Sequence, residues 1–372
     1  EVTSKDRFEK RLSEINKEKC VVLTANLDVE DNKLFDSKCN YRIIRNKRIA
    51  HVLDINQGPF IYRMFKLVCA IFIITKYTIN LKPKVIFFTD FTLLTISYII
   101  AKPFINSKLG IFTFAEEIQL VLNRKFHLSV LKKILKDSNA IITVCDYTRR
   151  MICGISDSLD RKITIIIPPV NVSESVNTNH SEKKKNNDVK LLTVARLEER
   201  KGHVDVLIAL KELVKKYPNV KYSIVGKGSF EKKIEDKIIE LGLEEYVDMK
   251  GRVSDQKLLE EYKAADIFVM PHKQLANGDT EGCPTVFLEA GLYSIPVVGG
   301  EAGGVSDAIL DGKTGYICHV GTNELYEYLE KLISSSQLRE SLGLAGRQYA
   351  SQFSIQSQSK KLDLVLQRLL AD

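Results

Sequence analysis

Short apolar or β-branched runs alternate along this chain with longer stretches whose apolar positions recur every three to four residues. Runs of the first kind predict strands at residues 20–24, 41–44, 85–89, 110–114, 140–144 and 163–167. Between them, helical periodicity marks 4–18, 62–75 and 129–136. A nearly apolar-free stretch at 173–188 then reads as a loop or linker. A second series follows. Strands are expected at 190–194, 221–225, 247–250, 267–270 and 296–298, and helices at 203–216, 230–241, 257–264 and 285–292. Strands alternating with helices build βαβ units and parallel sheets, so the fold class is α/β. In such doubly wound domains ligands sit beyond the carboxyl ends of the strands. A last amphipathic helix covers 354–370, with Ser354 as its N-cap.

Three domains follow from this pattern: 1–170, 171–353 and a closing helix at 354–372. Charge divides the chain at the same place. Through Val170 there are 28 Lys and Arg against 17 Asp and Glu; beyond it, 27 against 30. A basic first half beside a mildly acidic second suggests different partners for the two. Arg42, Arg45, Lys47 and Arg48 cluster in the basic half. They fit an anionic membrane surface, where each cation contributes about 1 kcal/mol; an ordinary solvated surface is the alternative. The apolar runs at 61–79 and 91–105 contain Arg63, Lys66, Lys76 and Lys102. Neither supplies the ~20 apolar residues of a spanning helix, and both read as core helices of an α/β layer. The seven cysteines are odd in number and form no CxxC pair, which suits free thiols in a reducing, cytoplasmic setting.

Candidate chemistry lies in the second series. In LLTVARLEERKG (191–202) a strand runs out into Arg196, and Lys201 stands just before a helix. Two cations so placed suit a diphosphate, each charge-assisted hydrogen bond contributing about 1.5–3 kcal/mol; surface charges offset by Glu198 and Glu199 are the alternative. VGKGSF (225–230) has two glycines after a strand, a turn or a close ligand approach. EGCPTVFLEA (281–290) is the strongest signal. Pro284 fits the first turn of a helix, leaving the Gly282 and Cys283 amides at its positive end. Glu281 is placed for sugar hydroxyls, and Glu289, two turns in, for a ribose; a solvent-facing Glu281 and a Glu289 that merely caps or pairs are the alternative. After Gly303-Gly304 a new helix is expected with Ser306 as its N-cap, then a tight turn between Gly312 and Gly315. No DxD carboxylate pair for a divalent metal is present, so neither metal nor cofactor is expected. The basic residues lack the aromatic interleaving of a nucleic-acid platform.

Arg196-x4-Lys201-Gly202, Gly251-Arg252-Val253, Ala265-Asp266-Ile267, Glu281-x7-Glu289 and Pro296-Val297-Val298 with Gly303-Gly304 resemble the donor domain of family 4 retaining glycosyltransferases of the GT-B fold. NGDTEGCPTVFLEA is similar to the phosphatidylinositol mannosyltransferase branch, and the likeness covers roughly 110–370. It implies two Rossmann-like domains facing a cleft, with the last helix crossing back to the N-terminal domain. It implies that Arg196 and Lys201 hold the donor diphosphate, with the Thr285 and Val286 amides reaching the phosphates, and act with Glu281 in catalysis. It further implies that Gly251, Arg252 and Val253 meet the base, that Glu289 binds the ribose, and that Glu281, Gly282, Cys283 and Pro284 form the site of the transferred sugar.

The sequence departs from the family twice. A His-Gly-x-Glu pattern becomes Phe114-Ala115-Glu116-Glu117, with Phe114 in place of the histidine and Glu117 at the acidic position of the acceptor side. The family's opening strand and glycine-rich loop are expected to lie outside this numbering, and their loss should impair transfer. The resemblance implies a nucleotide sugar, GDP-mannose or a UDP-sugar, as co-substrate and a glycan or lipid-linked acceptor. It suggests a place in cell-surface glycan or glycolipid synthesis at the inner membrane face. A non-catalytic donor-binding scaffold and a GT-B nucleotide-sugar epimerase are the alternatives.

Overall fold

The computed structural model describes residues 21–25, 42–46, 60–88, 100–115, 118–119, 125–171 and 188–371. The helical pattern at 4–18, the stretch at 173–187, and Lys47, Arg48, Glu116 and Glu117 lie outside the described residues. The rest forms two compact units. One holds the described residues up to Val144, Thr148–Pro168 and those from Gln356 onward; the other holds Cys145–Tyr147 and Pro169–Ile355.

In the first unit β1 (Val21–Ala25) and β2 (Arg42–Asn46) pair in parallel, Val21 opposite Arg42. Helix α1 (Phe60–Leu81) precedes a four-stranded parallel sheet of β3 (Val85–Phe88), β4 (Lys108–Thr113), β5 (Ala140–Thr143) and β6 (Ile163–Ile165), in that order. Helices α2 (Lys125–Asp137) and α3 (Asp146–Cys153) flank it. Strands β4 and β5 are almost wholly buried, which is why they read as unbroken apolar runs. Leu109, Ile111 and Ile141 pack there against Leu131 and Leu135 of α2. Helix α1 corrects the expectation of a core helix. It is longer than its periodicity suggested, and Phe65, Val68 and Phe72 on one face are 64%, 59% and 68% exposed. Among the described residues no helix is long and apolar enough to cross a membrane.

The second unit is one six-stranded parallel sheet. Its strands are β7 (Val189–Val194), β8 (Val220–Val225), β9 (Val247–Gly251), β10 (Ile267–Met270), β11 (Val297–Gly300) and β12 (Gly315–Cys318). They lie in the order β12-β11-β10-β7-β8-β9, so the winding reverses between β7 and β10. The helices are α4 (His203–Lys216), α5 (Glu231–Leu241), α6 (Asp255–Ala264), α7 (Thr285–Leu292), α8 (Glu324–Ser334) and α9 (Ser336–Ala350). Helix α10 (Ile355–Ala371) then belongs almost entirely to the first unit. The helix expected after Gly303-Gly304 is only a three-residue 3₁₀ turn, Val305–Asp307, so Ser306 lies within the turn instead of capping a helix. The turn between Gly312 and Gly315 is present, closed by a 2.8 Å bond from the Gly312 N–H to the Gly315 carbonyl. The five described cysteines are free thiols, Cys145 and Cys318 buried.

Gly202 lets the two strands at the reversal continue into adjoining loops. Its φ is 75°, and a Cβ there would stand 2.1 Å from the Pro271 carbonyl oxygen, just past β10. Gly202→Ala is therefore expected to destabilise the second unit by roughly 3 kcal/mol, left-handed strain and backbone clash together. Gly312→Ala, with φ of 69° but nothing within 4 Å of its Cβ, carries only the strain and should cost about 1 kcal/mol. Urea unfolding of both variants measures the difference; equal losses would refute the role given to the Pro271 approach.

The next residue, His203, opens α4 and is 1% exposed. Burial pushes its imidazole down to about 4, the Lys201 ammonium adding to the shift and the Arg196 backbone working against it, and neither ring nitrogen has a hydrogen-bond partner among the described residues. Unfolded, it would titrate near 6.5, so the unfolded chain binds the extra proton first and stability falls as the pH drops between those values. Relative to neutral pH the loss should reach about 2 kcal/mol at pH 5 and about 3 kcal/mol at pH 4. His203→Gln should flatten that slope in urea titrations, and an unchanged slope would show the acid sensitivity to lie elsewhere.

Candidate functional site

Strand β7 leads through Ala195 into Arg196, and the chain then winds into a 3₁₀ turn, Glu199–Lys201. The turn is closed by bonds from the Lys201 N–H to Glu198 O (3.1 Å) and from the Gly202 N–H to Glu199 O (3.2 Å). It carries Arg200 and Lys201 inward, to 3% and 8% exposure. The neighbouring strand β10 leads through Pro271 and His272 to a loop that ends at Glu281 and Gly282 before α7. Both loops leave the carboxyl edge at the reversal of strand order, the ligand position of a doubly wound sheet.

Glu281 is where the loops meet. Its Oε2 takes the Lys201 ammonium and the Arg200 Nη1, the latter at 2.5 Å. Arg200 also places Nη2 3.2 Å from Glu198 and Nε 3.5 Å from Asp279. Glu198 in turn holds Arg196 Nη1 at 2.9 Å. The result is one chain of ion pairs, Arg196–Glu198–Arg200–Glu281–Lys201, open to solvent at Arg196 and closed in at its other end. Burial works to raise the Glu281 carboxyl, but Lys201 and Arg200 outweigh it and hold it at about 2. Glu281 is thus an anion at any physiological pH, a hydrogen-bond acceptor and not an acid.

The loop around Glu281 is fixed through its carbonyls. Glu281 O accepts from the Gly304 N–H at 3.2 Å, and Gly282 O from the Cys145 thiol at 2.9 Å. The buried His272 ring sets Nδ1 3.2 Å from Met270 O and Nε2 3.1 Å from Ala302 O. It ties the turns after β10 and β11 together, and the neutral ring can donate to only one of the two. Pro284 caps α7 instead of occupying its first turn, because the chain makes a tight turn there: the Thr285 N–H donates to Cys283 O at 2.9 Å. That amide is turned to a local carbonyl, while Gly282, Cys283 and Val286 are half-buried around it.

Glu289, two turns into α7, is placed by a different partner. It accepts the Tyr262 hydroxyl at 3.2 Å, and the Tyr262 ring stacks on Tyr293 at 5.2 Å. Gly251 ends β9 with φ of 62° and accepts the Gly226 N–H at 2.9 Å. It is two strands from β7, about 10 Å along the sheet edge, with exposed Arg252 and half-buried Val253 beyond it. The glycines of 225–230 serve backbone packing: a Cβ at Gly226 would meet Ala195 O at 1.9 Å, and one at Gly228 would meet Leu197 O at 2.3 Å. In the first unit Phe114 follows β4, its ring 5.3 Å from that of Phe112.

The structure therefore joins Arg196, Lys201 and Glu281 in one network. The surface-charge alternative holds for Arg196, which is exposed and offset by Glu198, and fails for buried Lys201. The residue that sequence reasoning passed over is Arg200. It lies inside the stretch already singled out, yet nothing in its type or spacing distinguishes a buried three-way partner from a surface cation.

Residues 176–349 match the family described as glycosyl transferases group 1. Over 162 residues the chain is 31% identical to a GDP-mannose-dependent alpha-(1-6)-phosphatidylinositol monomannoside mannosyltransferase of Mycolicibacterium smegmatis, covering 43% of this chain and 42% of that protein. It is 30% identical over 150 residues to the putative colanic acid biosynthesis glycosyltransferase WcaL of Escherichia coli, covering 40% and 36%. The matched stretch thus spans less than half the length of these curated relatives. Among solved structures, Anabaena HepE in complex with UDP and glucose has a TM-score of 0.74 at 16% identity, covering 99% of this chain and 96% of that one. Sucrose-phosphate synthase from Thermosynechococcus elongatus has 0.75 at 16%, covering 98% and 92%. The chain has the α/β fold of the GT-B glycosyltransferases, and its residues 176–349 form a glycosyl transferases group 1 domain.

Proposed function

We propose that this protein is a retaining glycosyltransferase that moves a sugar from a nucleotide-diphosphate donor to a glycan or lipid-linked acceptor. The observation that carries the reading is the Arg200–Glu281–Lys201 cluster at the sheet reversal, inside the matched domain. The relatives' names favour GDP-mannose as donor, while UDP-bound neighbours of the same fold keep UDP-sugars in view.

Breaking a glycosyl–phosphate bond sends its electron pair to the departing diphosphate and leaves an oxocarbenium-like sugar. Fixed cations near the diphosphate lower that barrier without any reorganisation at the moment of reaction. Lys201 supplies one such charge and Arg196, at the open end of the ion-pair chain, another. Arg200 remains on Glu281 when Lys201 turns to phosphate, so the buried carboxylate is never left uncompensated. Glu281, held ionised, accepts hydrogen bonds from sugar hydroxyls. Glu289 accepts from the ribose in the orientation that Tyr262 imposes, and the ends of Gly251–Val253 meet the base. In this reading charge stabilisation comes from side chains and backbone amides, and no divalent metal takes part. Attack on the same face from which the diphosphate leaves gives retention.

Work at a membrane surface is part of the proposal. The exposed Phe65, Val68 and Phe72 stripe of α1 and the cationic surplus of the first half support a peripheral position at the inner membrane face.

The reading is tested by thermal shift with a panel of UDP-, GDP- and ADP-sugars, since a tight ligand raises the melting temperature by mass action. The preferred donor should lose about tenfold or more in affinity on Lys201→Ala, while the matching nucleoside loses little; equal losses would contradict the phosphate assignment. Glu289→Gln should weaken ribonucleotides several-fold more than 2′,3′-dideoxy analogues. Flotation with anionic liposomes should be strong at low salt, fade as salt screens the charge, and drop on replacing Phe65 and Phe72 by Ser. Absence of flotation at low salt would remove the membrane component alone.

A further inference from the structure

The amino edge of the first unit's sheet carries a cavity of about 240 Å³, lined by Lys108, Asn139, Arg161, Lys162, Arg368 and Leu369. Lys108 is the first residue of β4, Asn139 stands immediately before β5, and Arg161 and Lys162 stand immediately before β6. Arg368 and the buried Leu369 come from the last turn of α10. Ligands of doubly wound sheets collect at the carboxyl edge, so this cavity is separate from the edge where the unit's own reacting groups would stand.

Every polar side chain in the lining is able to donate, and none is a carboxylate. Asn139 is held by two bonds to Leu109: its Oδ1 accepts the Leu109 N–H at 2.9 Å and its own N–H reaches Leu109 O at 2.7 Å. With the oxygen so engaged, the side-chain NH₂ is left as a donor. Lys162 is pinned by bonds from Nζ to the carbonyls of Lys136 and Ser138, both 2.7 Å, which leaves its third N–H. Burial, with Arg161 adding to it, lowers Lys162 below the ordinary lysine range; Asp137 pulls the other way, but it is itself paired with Lys102 at 3.8 Å. Arg161 and Arg368 form no ion pair among the described residues. Carbonyls at the C-terminus of α2 account for Lys162, and the C-terminal end of α10 favours Arg368. Neither accounts for Arg161, which meets the same cavity from the residue before Lys162.

We propose that this cavity is a binding site for a phosphate or phosphoester group, gripped by the Arg161 and Arg368 guanidiniums with Lys108, Lys162 and the Asn139 amide completing the donor set. Guanidinium forks match phosphate oxygens two at a time, and the volume accommodates one or two phosphoryl groups. The group could arrive on a lipid headgroup or on a soluble phosphoester, and the test separates the two.

Inorganic pyrophosphate binding to the full chain is measured by calorimetry at low ionic strength, with Lys201→Ala as background so that the second unit's cations contribute little. Binding should persist there and weaken at least about tenfold on Arg161→Gln with Arg368→Gln. Lys108→Gln alone should weaken it less, and Lys232→Gln with Lys233→Gln, on α5, should leave it unchanged. In parallel, phosphatidylcholine vesicles doped with phosphatidic acid are sedimented with the protein. Capture that depends on Arg161 and Arg368 assigns a lipid headgroup; pyrophosphate binding without capture assigns a soluble ligand. The proposal is overturned if neither probe binds, if the Arg161 and Arg368 variant binds as tightly as its parent, or if the α5 variant loses as much. Failure of the donor-binding reading would show in the nucleotide-sugar panel and would leave this result untouched.

Discussion

A carboxylate enclosed by protein must be neutralised or protonated, and Glu281 is neutralised twice. Arg200 and Lys201 reach its oxygen from the loop after the adjacent strand. Removing one member of such a buried set typically costs 3–5 kcal/mol, because it strands a charge out of water. The local architecture follows from that requirement. The 3₁₀ turn aims the two cations, Gly202 brings their loop against Pro271, and the carbonyls of Glu281 and Gly282 are clasped by Gly304 and Cys145.

The same arrangement divides labour among groups of similar chemistry. Arg200 is buried and committed to three carboxylates, so it is scaffolding. Arg196 is solvated and has one carboxylate partner among the described residues, so it can change it at little cost. Lys201 is intermediate, buried and, among the described residues, paired with one carboxylate that Arg200 also holds. Glu289 belongs to an aromatic setting, where the stack of Tyr262 on Tyr293 fixes the hydroxyl that orients it.

Much of this was legible before any coordinates. Strands β4, β5 and β10 are buried along almost their whole length and therefore show as continuous apolar runs, and β10, α4 and α7 fall where the pattern put them. Arg196, Lys201 and Glu281 were visible as charged residues at strand exits. What stayed hidden depended on tertiary distance. Arg200 differs from a surface arginine only by what encloses it. The glycines at 226 and 228 resemble a ligand loop until the carbonyls of Ala195 and Leu197 are placed beside them. Strand β12 begins on Gly315, which the pattern assigned to a tight turn, and only three residues follow it. Helices α8 and α9 carry apolar spacing, as at Leu325, Leu329 and Leu332, and were legible from it although neither is among the expected helices.

Helix α10 has a consequence for biogenesis. It brings Leu362, Val365 and Leu369, each nearly sealed from solvent, to a unit whose other strands are translated before the second unit begins. At ribosomal speeds of ~5–20 residues per second, the earlier strands wait many seconds for their last hydrophobic cover. The later-encoded unit, contiguous apart from Cys145–Tyr147, can close first. A premature stop just after Ile355 would therefore injure the amino-terminal half of the molecule while sparing the half in which the lesion occurs.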